Sequence, residues 1–210
     1  MKNKILLCLL LLSSVKLFAQ WDVSASMGLD FKSMPIYKDY INMNFSTANN
    51  QISSFKSAVS FTAEGDYKLS KSFAIGLEYN LQLDSYNGVG GFYEISYSIH
   101  RPSLVAYYIV PGAGYQFKFG GGLGYRAVTL NERIITDTKY TASGFGLVAK
   151  AEGNTMLADH FYALIGGNIR YDTTGDVAIG DQYIVNRSTG DRLNLNSISF
   201  GIYLGITFTF

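Results

Sequence analysis

Residues 198–210 read ISFGIYLGITFTF, and every second residue of this segment is large and apolar. The residues between them are small or polar, with Tyr203 as the exception. Strict alternation of this kind is typical of a β-strand, because successive side chains of a strand point to opposite faces. The segment therefore predicts a strand with one face that is apolar enough to lie against lipid.

The same alternation recurs along the chain, between segments that are rich in turn-forming residues. The eight predicted strands cover residues 21–31, 55–67, 73–84, 92–109, 115–130, 140–152, 160–172 and 198–210. The composition also favours strands and turns, because it includes 16 tyrosines, 14 phenylalanines and 22 glycines but only 3 prolines. We therefore predict an all-β protein.

The fourth predicted strand contains Pro102, which interrupts the alternation. We predict a bulge or kink at this residue, because proline cannot donate to the hydrogen-bond ladder of a sheet. The predicted bulge keeps the apolar face of the strand on the outside along its whole length. The residues assigned to this outer face are Tyr93, Ile95, Tyr97, Ile99, Val105, Tyr107 and Ile109.

Long and short connections alternate between the predicted strands. The longer ones cover residues 32–54, 84–91, 131–139 and 173–192, and the shorter ones cover residues 68–72, 110–114 and 153–159. An even number of strands with long loops at one rim and short turns at the other is typical of an outer-membrane β-barrel. Because lipid offers no hydrogen-bond partner, a sheet that crosses a bilayer must close on itself. We predict an eight-stranded antiparallel up-and-down transmembrane β-barrel over residues 21–210.

Residues 1–20 are typical of a secretory signal peptide that is cleaved during export. Lys2 and Lys4 form its positive region, and the apolar run that follows is too short to cross a bilayer as a helix. A soluble β-sandwich or a lipocalin-like barrel would show the same alternation with its apolar face inward. The signal peptide and the terminal Phe210 favour the membrane barrel over these alternatives.

Charge and cysteine content argue against several classes of function. Removal of the signal peptide and its three lysines changes the formal net charge from +1 to −2. No basic block remains, so we expect no binding to nucleic acid. The only cysteine, Cys8, lies within the signal peptide, and two histidines on different strands give no ligand spacing for a metal. We expect no metal and no cofactor.

Three features of the sequence resemble the small eight-stranded OmpX/OmpA-type outer-membrane barrels, in the form common in Bacteroidota. They are Phe18-Ala19-Gln20 at the end of the signal peptide, the glycine-aromatic segments 120–125 and 201–205, and the terminal Phe208-Thr209-Phe210. The resemblance covers residues 21–210 and implies export through the periplasm into the cell outer membrane, in contact with outer-membrane lipid. It also implies that the barrel-assembly machinery reads the last strand, with Tyr203, Phe208 and Phe210 as its assembly residues.

Charged residues in mid-strand are predicted to face the lumen, opposite the apolar side chains. The predicted polar network of the lumen comprises Glu64, Glu78, Glu94, Lys118, Arg126, Lys150 and Arg170. An eight-stranded barrel is only wide enough for its own side chains, and charges inside it must be paired or hydrated. We interpret the network as a salt-bridged plug that makes the barrel rigid. A narrow porin-like channel is the alternative.

The two histidines bear on whether the protein is an enzyme. His100 follows Ser98 by two residues on the same predicted inner face, and Glu94 lies further along it. A Ser-His-acid set needs hydrogen-bond reach between its members, whereas such neighbours are ~7 Å apart at the backbone. His160 is expected at the short-turn rim, away from surface lipid A. We predict that the protein is not an enzyme, with a lipid-A-modifying barrel as an alternative.

The first long loop, residues 32–54, carries more large apolar side chains than an extracellular loop needs for solubility. Either the loop folds over the barrel mouth as a cap, or these side chains form a surface for a protein partner. The residues assigned to the partner surface are Tyr37, Tyr40, Met43 and Phe45. The sequence thus predicts a non-enzymatic outer-membrane barrel with a structural role or with binding through its loops, including as a subunit of a larger outer-membrane complex.

Overall fold

The computed structural model describes residues 20–47, 49, 51–88 and 93–210. The signal-peptide prediction, apart from Gln20, and Cys8 lie outside these ranges. Eight long strands form the barrel: β1 (Trp21–Ser33), β2 (Lys56–Lys68), β3 (Phe73–Asn87), β4 (Glu94–Gly112), β5 (Tyr115–Arg133), β6 (Asp137–Ala158), β7 (Phe161–Thr174) and β10 (Ser197–Thr209). One helix, α1 (Pro35–Asn44), follows β1, and two short strands, β8 (Ala178–Ile179) and β9 (Gln182–Tyr183), lie between β7 and β10.

Each long strand pairs with its neighbours in an antiparallel manner, and the sheet closes into a ring. The closing ladder joins β1 to β10 and runs from Asp22 opposite Thr209 to Ser33 opposite Ile198. Closure satisfies the backbone groups that an open edge would leave unpaired in lipid. The predicted eight-stranded antiparallel barrel, with its last strand paired to its first, is therefore confirmed.

The connections differ in length between the two rims. The short turns lie at the rim that is predicted to face the periplasm, and they cover residues 69–72, 113–114 and 159–160. The connections between β1 and β2, β3 and β4, β5 and β6, and β7 and β10 lie at the rim that is predicted to be extracellular. We call these two rims periplasmic and extracellular. The predicted long loop at 131–139 is wrong, because β5 and β6 continue as a paired ladder up to Arg133 opposite Asp137. This hairpin therefore projects beyond the shorter strands β1 and β2 on the extracellular side.

A band of apolar side chains covers the outside of the barrel. Exposed residues of this band include Met27, Leu77, Leu104, Leu123, Leu147, Ile165 and Leu204. Aromatic pairs mark its periplasmic edge, for example Trp21 with Tyr67, and its extracellular edge, where Phe31 stacks on Phe200. The ten-residue step from Trp21 to Phe31 corresponds to ~25 Å along the membrane normal for a tilted strand. This matches the thickness of the hydrocarbon core that such barrels cross.

The apolar residues of β10 lie on this outer band, as the alternation predicts. Tyr203 points inward and is 7% exposed, whereas Phe208 packs against Phe161 and Phe210 at the periplasmic rim. Among the described residues, no helix is long and apolar enough to cross a membrane.

Strand β4 is continuous through Pro102, and the predicted bulge is wrong. Pro102 is paired with Tyr79 of β3, and the register with β5 does not shift between His100 and Ser103. The residues predicted on the outer face are instead inward and buried: Tyr93, Ile95, Tyr97, Ile99, Val105, Tyr107 and Ile109. Only the environment changes along this strand, not its register.

The outer face of β4 explains why the sequence pattern differs on the two sides of Pro102. Below Pro102 this face carries Leu104 and Tyr108, which are exposed to lipid. Above Pro102 it carries Ser96 and Ser98, because the strand has left the apolar band. In water the apolar residues of a strand face the interior, so the upper half of β4 has the pattern of a soluble barrel.

Candidate functional site

The barrel interior is the largest assembly of polar side chains in the described part of the chain. Near the periplasmic end, Lys118 Nζ lies 2.9 Å from Asp22 and 2.8 Å from Asp66. Lys68 adds a second ammonium, 2.6 Å from Asp22. All of the carboxylates at this level are buried, and each faces at least one ammonium group.

A second group of charges occupies the middle of the barrel. The Lys150 ammonium is paired with Glu64, with Glu78 at 3.0 Å and with Glu152 at 2.9 Å. Arg170 donates two hydrogen bonds to Glu78, at 2.8 and 3.0 Å. Two tyrosines complete the group, because Tyr107 donates to Glu64 and Tyr203 donates to Glu152.

A third group lies nearest to the extracellular end of the membrane band. Arg101 is paired with Asp30 at 3.2 Å and with Asp172 at 2.8 Å. Arg126 also binds Asp172, through its Nε. Gln82 donates to Asp30 at 2.8 Å. Arginine forms these contacts readily because its planar guanidinium presents several donors at fixed angles.

The three groups leave little room for water in the membrane-spanning part of the lumen. Arg101 and Arg126 are 0% exposed, and Arg170 is 1% exposed. The lining of a conducting path must be accessible to water, and these side chains are not. The arrangement therefore fills the lumen with paired charges, as expected for a barrel of eight strands.

Six of the seven residues assigned to the lumen network lie in these groups, and the seventh does not. Glu94 lies on the outer face of β4 at the extracellular rim, where it binds Arg133. Their side chains are 37% and 53% exposed. Glu94 and Ile95 are neighbours in β4, so their side chains point to opposite faces of the sheet. The assignment of Glu94 to the lumen is therefore wrong for the same reason as the assignment of Ile95 to the outer face.

Above the charged groups, an apolar cluster closes the extracellular mouth. Helix α1 contributes Tyr37, Tyr40 and Ile41, which pack against the inward side chains of β4 and β5. The final long loop adds further residues from above. The buried members from the strands and this loop are Tyr86, Ile95, Tyr97, Ile99, Val128, Leu130, Val177, Ile184, Leu193 and Leu195. We call this cluster, together with α1, the cap.

The first loop was interpreted either as a cap over the barrel mouth or as a surface for a protein partner. The burial of its side chains favours the cap. Tyr37 and Tyr40 are 2% and 5% exposed, so their assignment to a partner surface is wrong. Phe45 stacks on Tyr93 with the ring centroids 3.5 Å apart, and it also packs against the cap. Of the four assigned residues, only Met43 is exposed.

One buried carboxylate holds the cap to the barrel. Glu132 of β5 accepts hydrogen bonds from Tyr40 at 2.5 Å and from Tyr93 at 3.1 Å. Burial and the adjacent Glu132 carboxylate raise the pKa of Tyr40 and of Tyr93 well above that of an ordinary tyrosine. Both hydroxyls therefore remain protonated donors at neutral pH.

Helix α1 and the role of Glu132 were not predicted from the sequence. A local signal for the helix was present, because Pro35 occupies the first helical turn and Tyr37, Tyr40 and Ile41 have the spacing of one helix face. Glu132 carried no comparable signal, since its partners are 39 and 92 residues away in sequence.

The two histidines lie in different parts of the barrel and contact different groups. His100 is on the outer face of β4, not the predicted inner face, and its Nδ1 lies 2.6 Å from the Tyr79 hydroxyl. His160 is at the periplasmic rim, where its Nδ1 lies 2.8 Å from the carbonyl of Thr209. Within the described residues, no three His, Cys, Asp or Glu side chains are arranged to hold a metal ion.

Comparison with known proteins identifies the fold. No family model and no curated protein matches the sequence. Among solved structures, neisserial surface protein A (NspA) is similar with a TM-score of 0.61, at 10% identity over 91% of this chain and 97% of that chain. Ail of Yersinia pestis, in complex with the heparin analogue sucrose octasulfate, has a TM-score of 0.52 at 11% identity over 91% and 99%. A major outer membrane protein of Thermus thermophilus also has a TM-score of 0.52, at 10% identity over 90% and 99%. Together with the apolar outer band, these similarities show that the chain has the fold of the small eight-stranded outer-membrane β-barrels.

Proposed function

We propose that this protein is a non-enzymatic, non-conducting outer-membrane barrel that acts as a rigid support for a binding surface at its extracellular rim. The observation that carries the proposal is the double closure of the lumen. Paired charges fill the membrane-spanning part, and the apolar cap closes the mouth above them. A barrel closed in this way offers its outer surface and its rim, but not its interior, to other molecules.

The rim carries exposed apolar side chains that the fold does not need. Ile135 at the tip of the β5–β6 hairpin is 92% exposed, and Ile134 beside it is 51% exposed. The last long loop adds Ile179, Tyr183 and Val185, each more than two-fifths exposed. These residues lie beyond the membrane band, so lipid does not cover them. Exposed apolar side chains in water are typical of protein interaction sites.

The solved Ail structure supports a binding role for this fold, because it was determined with a bound heparin analogue. For the present chain, we propose a protein partner as the ligand of the rim, since the exposed rim residues are apolar. The lipid of the outer membrane and the barrel-assembly machinery, acting on β10, complete the set of partners that we propose.

The binding role is tested by cross-linking in outer membranes, followed by affinity purification of the intact protein. We expect one or more proteins to be recovered with the wild type and lost with a variant that combines Ile135→Asp and Tyr183→Ser. The matched control is Met43→Ser, which changes an exposed apolar residue of α1 and should keep the partner. Recovery of the same proteins with all three forms would contradict the proposal.

The channel alternative predicts ion current across planar bilayers, whereas the closed lumen predicts silence from folded protein. Steady single-channel events from protein whose heat-dependent gel migration shows a closed barrel would overturn our proposal. The alternative of a lipid-A-modifying enzyme predicts an altered lipid A mass spectrum when the gene is deleted. We expect no alteration, because the Nδ1 of His100 already contacts Tyr79.

A further inference from the structure

The barrel wall divides between β2 and β3 at the extracellular edge of the membrane band. The ladder between these strands ends where Val59 is opposite Leu83, and above this pair β3 continues along β4 alone. A groove of about 640 Å³ lies at the division. Ser57, two residues above Val59, is opposite Phe31 of β1, which marks the edge of the band. The groove therefore lies where the hydrocarbon core gives way to the headgroups of the outer leaflet.

The lower part of this groove is apolar and the upper part is polar. Outward side chains of the lipid-facing band, among them Leu29, Phe61 and Leu83, line the lower part. The upper part is lined by hydroxyl and amide side chains of four strands, namely Ser57, Ser85, Ser96, Ser98 and Asn131. A lipid with an apolar tail and an uncharged polar headgroup has the same division of polarity.

The polar side chains of the upper part stand in register across the sheet. Ser85 of β3 is opposite Ser96 of β4, which is opposite Asn131 of β5. Neighbouring strands are ~4.8 Å apart, so these three side chains lie side by side on the outer face. In the described part of the chain, none of the three side chains has a hydrogen-bond partner, and the Ser98 hydroxyl has none either. All four are therefore free to bind polar groups of a ligand.

The groove presents no unpaired charge. Asp84 is the one charged side chain among the described residues that line it. Its carboxylate lies 3.1 Å from the Lys32 ammonium and 3.0 Å from the Lys56 ammonium, so its charge is neutralised within the protein. Neither the phosphate nor the ammonium of a phospholipid headgroup would gain an ion pair here. The electrostatics of the groove thus favour an uncharged ligand.

An extended peptide does not fit the division, although the upper part of β3 has an open edge there. An added strand would pair with the backbone groups of Ser85 that point to the open side. Both groups already have partners, because Lys56 Nζ donates to the Ser85 carbonyl at 2.7 Å and Asp84 accepts from the Ser85 N–H at 2.8 Å. The open edge is therefore blocked by side chains, and only the outward side chains remain available to a ligand.

We propose that this groove binds the sugar headgroup of a glycolipid of the outer leaflet. An acyl chain of the glycolipid lies on the apolar part of the groove, and the sugar lies on the row of Ser85, Ser96 and Asn131. Sugar hydroxyls both donate and accept hydrogen bonds, as do the serine hydroxyls and the asparagine amide. A phosphate only accepts, so it would leave the acceptors of this row unused. The site is separate from the apolar rim residues proposed to bind a protein partner.

The test uses the folded protein in zwitterionic detergent micelles, with a short-chain glucosyl diacylglycerol as the probe and calorimetry as the readout. The comparators are phosphatidylcholine and phosphatidylglycerol of the same chain length, and methyl glucoside. We expect saturable binding of the glucosyl lipid that is at least about five-fold tighter than binding of any comparator. Equal binding of either phospholipid would overturn the sugar headgroup as the ligand. Equal binding of methyl glucoside would overturn the membrane lipid as its source.

A pair of double variants tests the residues. Ser96→Ala combined with Ser98→Ala removes two hydroxyls of the groove and should weaken binding of the glucosyl lipid about ten-fold. Thr141→Val combined with Ser143→Ala removes two exposed hydroxyls from the outer face of β6, outside the groove, and should leave binding unchanged. Heat-dependent gel migration shows that each variant is a folded barrel. Equal affinities of the two folded double variants would refute the proposal.

Discussion

Loss of the Glu78 carboxylate is the change that we expect to destabilise the barrel interior most clearly. Glu78 is 0% exposed and accepts two hydrogen bonds from Arg170, and Lys150 lies 3.0 Å away. Glu78→Gln keeps the size of the side chain but leaves the buried Arg170 guanidinium without its bidentate partner. Removal of one member of a buried ion pair typically costs about 3–5 kcal/mol. We expect a loss of that size in the free energy of unfolding.

The matched control is Glu94→Gln, the same chemical change in the ion pair with Arg133 at the exposed rim. Exposed ion pairs contribute about 0–1 kcal/mol, so this variant should unfold close to the wild type. The assay is equilibrium unfolding in urea of barrels folded into phosphatidylcholine vesicles, followed by heat-dependent gel migration and by tryptophan fluorescence. If Glu78→Gln is no less stable than Glu94→Gln, the lumen charges are hydrated and our account of the closed interior is wrong.

Three further predictions concern the cap, the wall and pH. Ile41→Asp places a carboxylate in the apolar cap and should cost at least ~3 kcal/mol in the same unfolding assay, whereas Ile135→Asp at the exposed hairpin tip should cost almost nothing. Gly124→Ala should cost about 1–3 kcal/mol, because its Cβ would overlap the Pro102 carbonyl, whereas Gly65→Ala meets open space and should be neutral. The pKa of Tyr40 is raised in the folded protein, so its contribution to stability is complete below its ordinary pKa of 10.0 and is lost as the pH rises above it. Tyrosinate absorbance should therefore show a group of tyrosines that ionises only when the cap opens, and a single early titration of all tyrosines would contradict this.

The strands whose outer face stays in lipid from end to end were predictable from the sequence. In β1 and β10 the outer face contacts lipid and the inner face contacts the lumen along the whole membrane band. The alternation of apolar and polar residues therefore shows directly which side chains point outward. The pairing of these two strands then followed, because a sheet in lipid cannot leave an edge free.

The same reasoning failed where a strand passes from lipid into water. In the upper half of β4 the apolar residues Ile95 and Ile99 face inward, whereas in the lipid band apolar side chains such as Leu104 face outward. The residue patterns of both halves of β4 are present in the sequence, but the sequence does not show where between them the membrane surface lies. The predicted bulge at Pro102 and the assignment of Glu94 to the lumen came from this one missing fact.

The sequence by itself determined that the chain forms a closed barrel in a membrane, because period-two alternation and the need to pair every backbone group are local and general constraints. Only the tertiary structure decided which charges neutralise one another and what closes the mouth. Lys150 meets Glu64 across 86 residues of sequence, and Tyr40 meets Glu132 across 92. Such contacts depend on the register and curvature of the closed sheet, which bring distant strands face to face.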